Sequence, residues 1–376
     1  MKEEHLIKFD VLRGIAIILV FSYHVLGSVF TSGIMINTYE NGILTIKGSS
    51  AYLVFLTFFP LSYGWAGVHL FLIISGFLIH YSYLKKNTDK LNFGDFINRR
   101  FWRIYPPYLI CLFVFSFATG NILSTSKGVW DFLSHLFLLH NLSNDFTQSI
   151  NPSFWSLALE FQLYLLYPLF LFLRKKVGLS ATCIIALFVS ILLSIFQILF
   201  PVLKQPAIEL SVFRFWIVWI LGAFLAEKYY TNKRMFRINT VGLILMWGSF
   251  FVGRCFSFFT IYLIGLYVSF LFIMTIEWYL YNPPKISFPG RLLVNIGLCS
   301  YSIYLIHQPY LKVLIRFFNM FNAGGVSFLI SSLDYILIFI IFFLIARSMY
   351  VYLELPSVQL GKLVYNKIVK RKSQLV

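Results

Sequence analysis

The stretch LSATCIIALFVSILLSIFQILF, residues 179–200, runs for 22 positions without a charged side chain. As an α-helix it would be about 33 Å long, close to the hydrocarbon thickness of a bilayer. Runs of the same kind recur on both sides of it, at 11–32, 66–84, 101–123, 153–173, 210–227, 238–256, 259–280, 292–314 and 326–350. The chain therefore reads as an all-α polytopic membrane helix bundle with about ten transmembrane helices. Of its 376 residues, 59% are hydrophobic and 12% charged, against roughly 25% charged in soluble domains, and the mean hydropathy is +0.79. A soluble fold is excluded, and no stretch is left for a second domain. The expected layout is one membrane domain over 1–356 and a short basic tail, 357–376, multi-pass in the cell membrane.

A formal charge of +17 invites nucleic-acid binding, but the basic residues are parcelled between the apolar runs instead of forming a stripe. Lys85, Lys86, Lys90, Arg99, Arg100 and Arg103 make one group, Arg174 to Lys176 a second, Lys228 to Arg237 a third and Lys362 to Lys372 the last. Threading the ten runs puts these groups on one side together with both termini, which the positive-inside rule makes cytoplasmic. No nucleic-acid partner is expected. On the other side lie a long first loop, 33–64, and the segment 124–151. Within the latter, VWDFLSHLFLLHN (129–141) is too short to span, and lies at the interface or dips in. Cys111, Cys183, Cys255 and Cys299 show no CxxC spacing, so no metal is expected. The opening MKEEHLIKFDVLRG leads into an apolar run longer than a signal-peptide core and without a small-residue cleavage site, so it should stay as the first helix.

An ionisable side chain at the centre of a spanning helix costs about 2.5 kcal/mol or more, so each one present should pair, line a cavity or do chemistry. In FDVLRGIAIILVFSYHV (9–25), Arg13 and His24 are eleven positions apart. That spacing puts them within about 20° of one helix face and ~16 Å apart along it. They serve different parts of one elongated ligand, or different partners; the bland alternatives are a snorkelling anchor for Arg13 and a packing role for His24. In the fourth run, Glu160 lies beside Trp155 and Tyr164, at a depth similar to that of His24 when rises are counted from opposite ends. A carboxylate there could orient and charge an imidazole, or pair elsewhere. His307 lies at comparable depth in the ninth run, ahead of Pro309, with a hydrogen bond to a neighbouring helix as the alternative role. His69, His80, His135 and His140 lie nearer helix ends and are read as structural. SGFLI (75–79), beginning at Ser75, offers small residues that admit a neighbouring backbone or a thin ligand. NRRFWRIYPPY (98–108) gathers Arg99, Arg100 and Arg103 at the cytoplasmic surface, where planar guanidinium groups suit phosphates and the positive-inside bias is the competing explanation.

Together these motifs resemble the acyltransferase-3 family of integral membrane acyltransferases, which modify bacterial surface sugars and related acceptors. The resemblance rests on Arg13 and His24 after FDVLRGIAI, on GVHLFLIISGFLI (67–79), RRFWRIYPPY (99–108) and FWSLALEFQLYLLYPLF (154–170), with SYSIYLIHQP (300–309) in support. It implies a ten-helix core, an acyl-CoA donor, most often acetyl-CoA, and transfer of the acyl group to a hydroxyl. It further implies roles for Arg13 and His24, for the arginines of RRFWR and for Glu160. Some members carry an additional esterase-like domain; a chain without one would work alone or hand its acyl group to a partner.

The two lines of reading agree on a division of labour. Arg13, Arg99, Arg100 and Arg103, with Ser75, would hold coenzyme A, and His24 would meet the thioester as general base, with Glu160 holding its tautomer and stabilising its charged form. A covalent acyl-histidine stays open beside direct transfer. Tyr23, Trp155, Tyr164 and His307 are the candidates to face a carbohydrate acceptor. Membrane lipid is a further partner, and a homo-oligomer or a glycan-biosynthesis partner is compatible with the chain. The competing class is an exporter or flippase of a glycan or glycolipid, which would share buried charges near the midplane. No inverted repeat is visible, and the arginines gather at one face.

Overall fold

The computed structural model describes residues 4–29, 61, 63–86, 91–118, 123–200, 202, 205–255, 261–282, 287–321 and 328–374. The long first loop expected at 33–64 lies almost wholly outside them. In chain order the helices are α1 (Glu4–Val29), α2 (Ala66–Lys85), α3 (Phe93–Ala118), α4 (Ser126–Leu136), α5 (Trp155–Val177), α6 (Leu179–Leu199), α7 (Val212–Tyr230), α8 (Thr240–Cys255), α9 (Ile261–Tyr281), α10 (Phe288–Leu298), α11 (Ser300–Phe321), α12 (Phe328–Met349) and α13 (Leu355–Gln374). Each of the ten expected runs contains a helix. Among the described residues, eight helical stretches are long and apolar enough to cross a bilayer, and α8 supplies a shorter apolar one.

The helix α6 shows why this is a membrane fold. Its buried residues are Thr182, Ala186, Ser190, Ser194 and Gln197, one narrow stripe of small and polar side chains at a spacing of about four. Its large apolar side chains point outward, Ile184 66% and Phe188 64% exposed. In water that arrangement would be inside out. In lipid it is the stable one, because hydrocarbon solvates the isoleucines while polar atoms must find partners in protein. Ser190 Oγ donates to the Arg214 carbonyl at 3.0 Å, and Arg214 Nη1 donates to Gln197 Oε1 at 2.8 Å.

The described residues group into two compact units, each discontinuous in sequence: one drawn from Met1–Lys86, Leu179–Pro201 and Phe213–Leu298, the other from Asn87–Gly178, Val202–Val212 and Cys299–Val376. In the first, α1 packs on α10 and α2, and α2 also on α9. The helices cross at glycines. A Cβ at Gly76 would stand 2.0 Å from the Trp219 carbonyl oxygen, and one at Gly222 would stand 2.1 Å from that of Ile73. The glycine of SGFLI is thus used for backbone approach between α2 and α7.

In the second unit α3 begins at Phe93, eight residues ahead of its apolar run, with the Asn92 side chain accepting from the Asp95 amide at 3.0 Å as a cap. The turn RRFWR is therefore helical. The segment α4 packs along α3: Phe132 lies against Phe113 (5.5 Å), Tyr108 Oη donates to the His135 carbonyl and Tyr105 Oη to that of Leu136, both at 2.8 Å. Contacts stepping backward along α3 as α4 advances mean that α4 runs antiparallel beside it. The ninth run is broken at Cys299 into α10 and α11. The chain then continues from α12 through a π-helical turn, Tyr350–Glu354, straight into α13.

Prolines decide how these helices are tied. A proline removes the hydrogen bond to the carbonyl four residues earlier. Pro106 frees the Trp102 carbonyl, which accepts from Ser357 Oγ of α13. Pro309 frees the Leu305 carbonyl, which accepts from Asn151 Nδ2 at 2.8 Å.

Candidate functional site

In the first unit the ionisable residues of α1 are held by their own helix. Arg13 Nη1 donates to Asp10 Oδ1 at 3.0 Å, with Asp10 buried and Arg13 half-buried. One further turn-spaced contact sets the chemistry of His24. Its Nδ1 lies 2.9 Å from the Val20 carbonyl oxygen, and a carbonyl only accepts. Nδ1 is therefore the protonated nitrogen, and in the neutral imidazole Nε2 carries the lone pair. The helix backbone, through Val20, fixes this tautomer. The Tyr23 ring meets the imidazole edge-on at 5.1 Å, and both residues are half-buried. Ser75 is half-buried on α2, next to the crossing glycine Gly76.

In the second unit α3 and α5 bring the arginine turn and Glu160 onto one connected path. Tyr164, one turn after Glu160, is buried and donates its hydroxyl to Glu160 Oε1. The Arg100 guanidinium carbon lies 5.9 Å from the centroids of both the Phe96 and Tyr164 rings. Its Nε is buried with no hydrogen-bond partner among the described residues. Such a donor costs about 1–3 kcal/mol when unmet. Arg99, by contrast, turns to Asp95 Oδ2 at 2.6 Å and is 45% exposed, while Arg103 is exposed. These arginines line a cleft of about 180 Å³ whose other wall is α13.

Trp155 is half-buried at the start of α5. His307 is fully buried, its Nδ1 donating to the Tyr304 carbonyl at 2.8 Å. Tyr304 Oη in turn shares a hydrogen bond with Ser156 Oγ at 2.6 Å, and Ser153 Oγ donates to Gln308 Oε1 at 2.8 Å. The start of α5 and the middle of α11 are thereby pinned together. Among the described residues no cluster of three His, Cys, Asp or Glu side chains could hold a metal ion.

A profile for the acyltransferase domain matches residues 6–351. The chain belongs to the acyltransferase-3 family. Its relatives in that family include the O-acetyltransferase OatA of Staphylococcus aureus strain MRSA252, 29% identical over 354 residues, which are 84% of this chain and 56% of OatA. Another is the putative peptidoglycan O-acetyltransferase YrhL of Bacillus subtilis strain 168, 31% identical over 39% of this chain and 26% of YrhL. A third is regulator of hypoxia-inducible factor 1 of Caenorhabditis elegans, 30% identical over 32% of this chain and 26% of its own length. The chain thus spans about half the length of the OatA proteins it matches. No solved structure matches it. All the expected site residues fall inside the acyltransferase-3 match, whereas α13 lies beyond it.

Sequence reasoning passed over two groups. His135 and His140 stack face to face, ring centroids 3.9 Å apart and 3° from parallel, both fully buried. Asp131 steadies them: His135 Nδ1 lies 3.0 Å from its carbonyl oxygen and 3.1 Å from its carboxylate. The spacing Asp131 to His135, one helical turn, was the available signal; the meeting with His140 is made by the chain reversal after α4. The second group is Val358, Gly361 and Lys362 on α13, which composition alone presents as a basic tail.

Proposed function

We propose that the chain is a membrane O-acyltransferase that moves an acyl group, in the first instance acetyl, from acyl-CoA to a hydroxyl of a cell-surface or lipid-linked carbohydrate. The observation that carries this reading beyond family membership is the tautomer of His24. A neutral imidazole with its lone pair on Nε2 is the form a general base requires. His24 takes the proton of the acceptor hydroxyl as its oxygen attacks the thioester carbonyl. The carbon–sulfur bond breaks, and the same proton passes to the departing thiolate. Proton transfer of this kind contributes a factor of roughly 10² to 10⁴. Glu160, held by Tyr164, supplies the negative charge that favours the imidazolium. We assign Arg13, Arg99, Arg100 and Arg103 to the phosphates of coenzyme A on the cytoplasmic side, and Ser75 to its thin pantetheine arm. Tyr23 and Trp155, both half-buried, and Tyr164 and His307, both buried, are assigned to the carbohydrate acceptor. The names of OatA and YrhL favour a cell-wall glycan as acceptor.

The test is turnover of radiolabelled acetyl-CoA by purified protein in liposomes, with water or a cell-wall glycan extract as acceptor. Wild type should move label. His24→Ala and Glu160→Gln should each lose about 10²-fold or more while keeping the wild-type melting temperature. Because His24 and Glu160 act as one machine in this reading, the double variant should be scarcely worse than either single one. Folded wild type that neither binds nor turns over any acyl-CoA would end this reading.

A further inference from the structure

The helix α13 is seated on the first turns of α3 by a ladder at four-residue spacing. Ser357 Oγ donates to the carbonyl that Pro106 frees at Trp102, Asn98 Nδ2 donates to the Gly361 carbonyl at 3.1 Å, and Asn92 Nδ2 to Tyr365 Oη at 3.2 Å. Residues 357, 361 and 365 are one helix face. The adjoining face, Val358 and Lys362, is turned to the arginine cleft. At Gly361 the contact is at its limit, since a Cβ there would stand 2.5 Å from Cγ of the Trp102 ring. Any side chain at 361 would push Trp102, itself part of the cleft wall, out of place.

We infer that α13 is a working part of an anion site, with Lys362 acting alongside Arg99, Arg100 and Arg103 on one phosphate-bearing ligand, and Gly361 setting the width of that site. Four cations line a cleft of about 180 Å³, large enough for phosphate groups. Among the described residues only Arg99 of the four is paired with a carboxylate, Asp95. The neutral hydrogen bonds of α13 thus bring Lys362 to three arginines that have one paired carboxylate between them, an excess of positive charge that an anion would offset. The proline-freed carbonyl gives the docking a cause in the sequence: Pro106 requires a donor from elsewhere, and Ser357 is that donor. The ligand we assign is the diphosphate of coenzyme A, a choice that rests on the acyl-CoA reading. The same chemistry would suit an anionic lipid headgroup.

Binding of coenzyme A and of inorganic pyrophosphate is measured by calorimetry on the full-length protein in nanodiscs of zwitterionic lipid, for wild type, Lys362→Glu, Lys362→Arg, Gly361→Leu and the control Lys175→Glu at the end of α5. Wild type should bind both probes. Lys362→Glu and Gly361→Leu should weaken binding about tenfold or more, the value of a charge-assisted hydrogen bond; Lys362→Arg should restore it and the control should stay within twofold. In turnover the loss should appear in KM for acyl-CoA, with kcat held. If wild type binds coenzyme A and Lys362→Glu binds it equally well, the inference about α13 fails while the donor reading stands. If wild type binds pyrophosphate through Lys362 but not coenzyme A, the site stands and the donor reading fails. Binding of neither probe overturns both. Binding in zwitterionic nanodiscs that vanishes in phosphatidylglycerol nanodiscs gives the cleft to a lipid headgroup and overturns the assignment.

Discussion

At the scale of single residues, the hydrogen bonds of the candidate site residues His24 and Glu160 are set by what each partner can give or accept. Val20 can only accept, so His24 Nδ1 keeps its proton. The Tyr164 hydroxyl donates to Glu160. Removing that donor leaves the carboxylate short of a charge-assisted bond of about 1.5–3 kcal/mol. Tyr164→Phe is therefore expected to lower acyl-CoA turnover by about 10- to 100-fold without unfolding the protein, as read from kcat and the melting temperature side by side. The stacked histidines make a different prediction. Burial, and then the neighbouring His135, hold the His140 imidazole well below its usual range. In an unfolded chain a histidine titrates near 6.5. Below that pH the unfolded chain takes up a proton that the folded chain refuses, so stability falls on acidification by about 1.4 kcal/mol per pH unit. The melting temperature should drop between about pH 6.5 and 5.5, and His140→Phe should remove one proton's share of that slope. An unaltered slope would show that His140 is charged in the folded protein.

At the scale of elements, packing is set by where backbones approach. A methyl at Gly76 would stand 2.0 Å from the Trp219 carbonyl oxygen, whereas nothing lies within 4 Å of a Cβ at Gly248 in α8. The same substitution should thus have opposite signs. Gly76→Ala is expected to cost about 1–3 kcal/mol by forcing α2 and α7 apart, and Gly248→Ala to add up to ~1 kcal/mol by helix propensity; thermal unfolding in detergent compares them. Each of the ten apolar runs holds a helix, and eight helical stretches among the described residues are long enough to span; they were legible because bilayer length is a demand no other environment makes. The start of α3 was not, since Asn98, Arg99, Arg100 and Arg103 depress hydropathy while leaving helix propensity intact. The break at Cys299 costs one residue and leaves no mark on an average over twenty. Among the candidate site residues, Arg13, His24, Glu160 and the arginine turn stood out because charge in an apolar run is expensive. Lys362 did not, because a lysine in a polar helix is cheap and its place opposite Arg103 is created only by docking. Pro106 and Pro309 were visible all along, and read as makers of unmet carbonyls they point to Ser357 and Asn151.

At the scale of the whole molecule, the spanning surface of α6 is apolar and its polar atoms are turned inward. One continuous helical path links lipid to cleft. From Phe328 through the π-helical turn to Gln374 the chain runs 47 residues unbroken, about 70 Å at the α-helical rise and more than twice the ~30 Å of a bilayer core. Ser302 Oγ donates to the buried Glu354 in the π turn, so the path is tethered near its middle to α11. A rod pinned at its centre behaves as a lever. Spanning helices answer a change in membrane thickness by tilting, and tilt of the lipid-borne arm is expected to load the bonds that dock Gly361 and its neighbours on α3. The thickness of the host membrane then becomes an input to ligand affinity, and reconstitution in lipids of increasing chain length should shift coenzyme A binding in a graded way that detergent cannot reproduce.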